Sequence, residues 1–73
     1  MIAVRHGNEI HIGSFSDAAV GLQRGYRVQL HDLPKFSFIV DAPTGEDAVR
    51  IAFRCAQQEG RAKSDAATFQ RMS

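Results

Sequence analysis

The hydrophobic period of this chain changes once, across DAPTGEDAV (residues 41–49), and that change constrains the fold more than any other feature. Before it, apolar residues alternate. Tyr26, Val28 and Leu30 share one face of a strand, and Phe36, Phe38 and Val40 share one face of a second, because strand side chains alternate with period two. After it, Val49, Ala52, Phe53 and Ala56 recur at helical spacing, with Ala48, Ile51 and Cys55 widening the stripe. Thr44 followed three residues later by Asp47 resembles a capping box. Glu46 and Asp47 in the first turn suit the helix dipole, and Gly60 is a fitting C-terminal stop. These signals predict a helix over residues 45 to 58. They also predict a hairpin whose loop, His31 to Lys35, pairs Leu30 with Phe36, Val28 with Phe38 and Tyr26 with Val40. The opposite face then carries Arg27, Gln29, Ser37 and Ile39.

The opening stretch MIAVRHGNEIHIG reads as another hairpin. A two-residue Gly7-Asn8 turn pairs Val4 with His11 and Arg5 with Ile10, which mixes polar and apolar residues on both faces. A three-residue loop, His6-Gly7-Asn8, with Asn8 left-handed, pairs Arg5 with Glu9, Val4 with Ile10 and Ile2 with Ile12. It gathers the four apolar residues on one face and makes a cross-strand ion pair on the other. That pattern predicts the three-residue loop, because one slip in register flips every side chain. The exposed face then holds Ala3, Arg5, Glu9 and His11. Residues 14 to 25, SFSDAAVGLQRG, read as a short helix capped by Ser16 or as an irregular crossover.

With 73 residues the chain has room for one core. The expected fold class is α+β: a small antiparallel sheet of two hairpins, about four strands, with one main helix packed on one face. Residues 1–60 form the expected globular domain. Residues 61–73, polar apart from Phe69, read as a mobile or partly helical C-terminal tail. A net charge of +1 predicts no global pull toward nucleic acid or membrane. A single cysteine excludes an intrachain disulfide. No stretch is apolar for long enough to span a bilayer, and Arg5 and His6 interrupt any signal-peptide-like run. A cytosolic setting is expected.

No pattern of residues points to catalysis. His6, expected in a turn, His11 and His31 have no metal-ligand spacing with each other or with Cys55. Cys55 lies on the core stripe of the helix. Asp17, Asp32, Asp41, Glu46 and Asp47 each have an ordinary duty as cap, turn or helix-start residue, and the six glycines form no phosphate loop. The expectation is a non-enzyme with no catalytic residue, no cofactor and no metal. What remains are the basic residues. Arg5 and Arg27 would gather on the open sheet face with Lys35 and Arg24, and Arg50, Arg54, Arg61, Lys63 and Arg71 lie toward the other end. A basic sheet suits RNA or DNA. Such sheets place aromatics on that face for stacking, however, and here Tyr26, Phe36 and Phe38 belong with the core. A protein partner is therefore the leading expectation, met through the first strand as a free edge. The candidate contacts are Ile2, Ala3, Val4, Arg5, His11 and Arg27.

In size, in lacking an enzyme motif and in its arginine-leaning basic set, the chain resembles a family of phage-encoded inhibitors and antiterminators of bacterial RNA polymerase. VDAPTGEDAVRIAFRCA is its most distinctive stretch. The resemblance is one of overall character across the whole chain, and it carries no residue roles with it. It implies a monomer in the cytoplasm of the bacterial host. There it would bind the N-terminal part of the polymerase's largest subunit and the flap region, weaken the hold of the sigma factor and promote antitermination. The alternatives are a small nucleic-acid-binding protein using the basic sheet face and an anti-CRISPR-type inhibitor of a host defence complex.

Overall fold

The computed structural model describes residues 3–13 and 25–72. Both hydrophobic periods form the elements they predict. Gly25–Leu30 and Ser37–Asp41 are antiparallel strands β3 and β4, in a register that places Val28 opposite Phe38 and Tyr26 opposite Val40. The helix, α1, spans Gly45–Gln58. Its N-cap is Thr44, whose Oγ1 accepts the Asp47 N–H at 3.1 Å, satisfying one of the donors a helix start leaves unpaired.

The helix ends in a Schellman arrangement. Gly60, at φ +70°, donates its N–H to the Gln57 carbonyl, and the Arg61 N–H reaches back to Ala56. Its buried stripe is made of small residues, Gly45, Ala48, Ala52 and Ala56. The helix axis therefore sits close to the sheet, and the larger Val49, Ile51, Phe53 and Cys55 flank the seam half-buried. On the sheet side the core is Ile12, Val28, Leu30, Phe38 and Val40, each at most 1% exposed.

The fold class is α+β, and the sheet differs from the expected one in three ways. Among the described residues it has five strands in the order β1-β2-β4-β3-β5, where β1 is Ala3–His6 and β2 is Glu9–Ile12. It is mixed rather than antiparallel throughout, since β2 lies parallel to β4 with Ile10 beside Phe38 and Ile12 beside Val40. And residues Ala67–Arg71, expected in a tail, form β5, antiparallel to β3 with Phe69 opposite Val28. Asp32 helps place β5. Its Oδ2 accepts the N–H groups of Lys63 and Ser64 at 2.8 and 3.0 Å, and the His31 N–H donates to the Ala66 carbonyl at 2.9 Å. The bonds from Lys63 and Ser64 hold the Asp32 carboxyl below its ordinary range. The predicted helix or crossover at 14–25 lies outside the described residues but for Gly25.

The first hairpin adopts the register that the apolar pattern argues against. His6 faces Glu9, Arg5 faces Ile10, Val4 faces His11 and Ala3 faces Ile12. The turn is the two-residue Gly7-Asn8 one. Gly7 sits at φ +63°, and no residue other than glycine has positive φ among those described. A left-handed glycine at the first central position is the mark of a type II′ turn. The pattern misleads because β1 has no buried face to protect. All four of its residues are exposed, Val4 at 44%, so nothing penalises the mixed faces and turn geometry sets the register.

Candidate partner-binding surface

That register redistributes the candidate contacts. Val4 and His11 lie on the sheet face away from α1, with Arg27. Ala3 and Arg5, expected there too, lie on the helix side. Ile2 is outside the described residues. His6, expected in the turn, joins the open face, where its ring meets His11 edge to face at 5.3 Å. Glu9 bridges this face, with its carboxylate 3.3 Å from His11 Nε2 and 3.8 Å from Arg27 Nη1. Among the described residues no three His, Cys, Asp or Glu side chains are arranged to hold a metal ion. The open face is also less open than expected at its centre, where Ile39 is 2% exposed. A basic, aromatic-bearing sheet is therefore not what this face presents. Arg5 is absent from it and Arg27 is paired.

The basic residues converge on the other side. Helix α1 packs over β3, β4 and β5, so the helix side of the β1–β2 hairpin projects beyond it. Between the hairpin and the later turns of α1 runs a groove made of two adjoining concavities of about 310 and 290 Å³, which share Ala3 and Cys55 as lining residues. Among the described residues its floor is apolar, from Ala3, Ile10, Ile12 and Ile51, and its rim carries Arg5, Arg54 and Arg61 against one carboxylate, Glu59.

Local structure holds two of these arginines in place. Arg5 Nε donates to the Gly7 carbonyl at 3.0 Å, and its guanidinium stands 5.1 Å from the centroid of the Phe36 ring. The Gly60 turn brings Arg61 to the same ring at 5.9 Å, with its Nε 3.9 Å from Glu59. Each cation–π contact at an exposed site is worth about 0.5–1 kcal/mol, enough to bias a long side chain while leaving its outer N–H groups available. Cys55, read from sequence as a core residue, is half-buried and lines the groove. Burial foremost, and then the Glu59 charge, push its thiol up, away from the thiolate that a nucleophile requires.

Phe36, Arg54, Glu59 and Arg61 have no signal in the sequence that would join them to β1. Arg5 and Arg61 are 56 positions apart and meet over Phe36 only through the fold. No helix among the described residues is long and apolar enough to cross a membrane. Comparison with protein-family models, curated proteins and solved structures finds no match to this chain.

Proposed function

We propose that this chain is a non-catalytic binding module that docks through the β1–α1 groove onto an acidic surface of a partner protein. The observation that carries the reading is the convergence of Arg5, Arg54 and Arg61 on one apolar-floored groove with, among the described residues, a single opposing carboxylate. Guanidinium groups are favoured interface anchors and pair with carboxylates in a defined geometry. The half-covered floor adds apolar area, which a purely electrostatic patch lacks. Arg5 and Ala3 thereby stay in the reading as direct contacts, whereas Val4, His11 and Arg27 lie on the opposite face.

The partner we propose is bacterial RNA polymerase, making the chain a phage regulator of host transcription. This rests on the resemblance in size and character. Bound to the polymerase, the module shifts the equilibrium away from the sigma-bound form to the extent that it binds the sigma-free form more tightly.

The test is a nuclease-treated pull-down from bacterial lysate with the tagged chain and with an Arg54→Glu/Arg61→Glu variant, the bands read by mass spectrometry. Polymerase subunits depleted of sigma should be retained by the first and lost by the second. Each reversed arginine is expected to cost about 2 kcal/mol of affinity or more. Absence of polymerase refutes the named partner, and recovery of a defence complex replaces it. Equal retention by the variant refutes the groove. Loss of every band on nuclease treatment, with log-linear salt dependence, assigns the chain to nucleic acid.

A further inference from the structure

The backbone of β1 is in phase with the groove. The Ser37 N–H donates to the Asn8 carbonyl at 2.9 Å, so along parallel β2 the peptide groups of Ile10 and Ile12 also point toward β4. Those of Glu9 and His11 consequently point toward β1, where they face His6 and Val4. In an antiparallel ladder hydrogen-bonded and non-hydrogen-bonded pairs alternate. Val4 and His6 therefore spend their N–H and C=O groups on β2, and those of Ala3 and Arg5 point outward from the sheet edge. The two residues with outward backbone groups are the same two whose side chains lie on the groove side.

We propose that the edge of β1, unpaired among the described residues, accepts an antiparallel strand from the partner protein whose groove-facing side chains are acidic. A residue placed directly across from Arg5 exchanges both backbone bonds with it, and its side chain falls on the groove side among Arg5, Arg54 and Arg61. A carboxylate there gains an opposite-charge cross-strand pair and charge-assisted hydrogen bonds. The residues between fall on the far face beside Val4, which is 44% exposed, and favour a β-branched apolar side chain. The recognised segment thus alternates acidic with β-branched residues.

Charge also disfavours a second copy of this chain at the same edge. Antiparallel β1–β1 pairing through Ala3 and Arg5 sets Arg5 directly across from its counterpart or on the adjoining diagonal, and like charges there destabilise a ladder. The other sheet edge, β5, lacks this logic. Phe69 is 46% exposed there, but Glu46, Arg50 and Asp65 line the neighbouring depression with mixed charge.

This inference rests on the groove reading above, and its test separates the two. The probe is a blocked hexapeptide alternating glutamate and valine, titrated into the ¹⁵N-labelled chain. The amides of Ala3 and Arg5 and the Nε signals of Arg5, Arg54 and Arg61 should shift together. In an antiparallel pairing the glutamate N–H groups face β1 and the valine N–H groups face solvent. N-methylation of the glutamates should then weaken binding by about tenfold or more, given the backbone bonds lost, and N-methylation of the valines should leave it within about twofold. Equal sensitivity of the two methylated peptides, or no shift at Ala3 and Arg5, overturns strand addition. If that happens while polymerase is still lost on reversal of Arg54 and Arg61, the groove stands and only the mode of docking fails. If the methylation pattern holds and polymerase is not retained, strand addition stands and the named partner fails.

Discussion

Gly45 opens α1 in contact with the ring of Phe69 from β5, and a β-carbon added at Gly45 would occupy the ring's position. Gly45 does not have positive φ, so its backbone accepts alanine. On propensity and unfolded-state entropy alone, Gly45→Ala should stabilise the fold by about 0.5–1 kcal/mol. The ring reverses the sign. Phe69 is 46% exposed, so roughly half of the ~3 kcal/mol available from burying a phenylalanine is present. Its edge-to-face contact with Tyr26, at 6.0 Å between centroids, adds about 0.5–1 kcal/mol. Expelling the ring forfeits most of both.

Gly45→Ala is thus expected to destabilise the native chain by about 1 kcal/mol, yet to stabilise the Phe69→Ala variant by about 0.5 kcal/mol, a coupling of about 1.5 kcal/mol. Urea unfolding followed by far-UV circular dichroism suits a chain without tryptophan and gives the four free energies of the cycle. A coupling below about 0.5 kcal/mol, or a native chain stabilised by Gly45→Ala, would refute the packing of β5 against the start of α1.

Three further outcomes follow from the same packing. The Asp32 carboxyl is held below its ordinary value near 3.8 by the Lys63 and Ser64 N–H groups; its contribution is therefore present above about pH 4 and fades as pH falls through the lower folded-state value. Asp32→Asn should lower the melting temperature at neutral pH and flatten the acid limb of a melting-temperature profile, and an unchanged limb would show that the clamp contributes nothing. Ala52 is fully buried in the helix–sheet seam, so Ala52→Leu should cost about 1–3 kcal/mol by overpacking, read as a lower urea midpoint. Gly60 has φ +70° and open space where a β-carbon would sit, so Gly60→Ala should cost about 1 kcal/mol from the left-handed backbone alone. It should also shift the Arg61 Nε resonance as the guanidinium leaves Phe36.

Much of the fold is readable from residues because β3, β4 and α1 each turn an apolar face to a shared core. Tyr26, Val28, Phe38 and Val40 keep their parity, since a slip of one position would turn them away from the helix side of the sheet. Helix α1 keeps both ends, since Thr44 and Gly60 satisfy specific backbone groups. The reading fails where burial exerts no force. In β1 the apolar alternation is a coincidence of composition, and the left-handed Gly7 decides instead. In β5, ATFQR carries too little apolar character to signal a strand; it becomes one because Asp32 and His31 tether the preceding loop and β3 offers an open edge.

Only the register of the first hairpin and the course of the chain after Gly60 assemble the candidate groove. Shift β1 by one residue and Arg5 moves to the other face; straighten the turn at Gly60 and Arg61 leaves Phe36. The sequence by itself determined that a main helix lies on a small sheet, because the hydrophobic period is a local property of neighbouring residues. Which basic residues share a surface was decided by the tertiary structure alone, because exposed arginines carry no periodic constraint and meet only where distant segments are brought together.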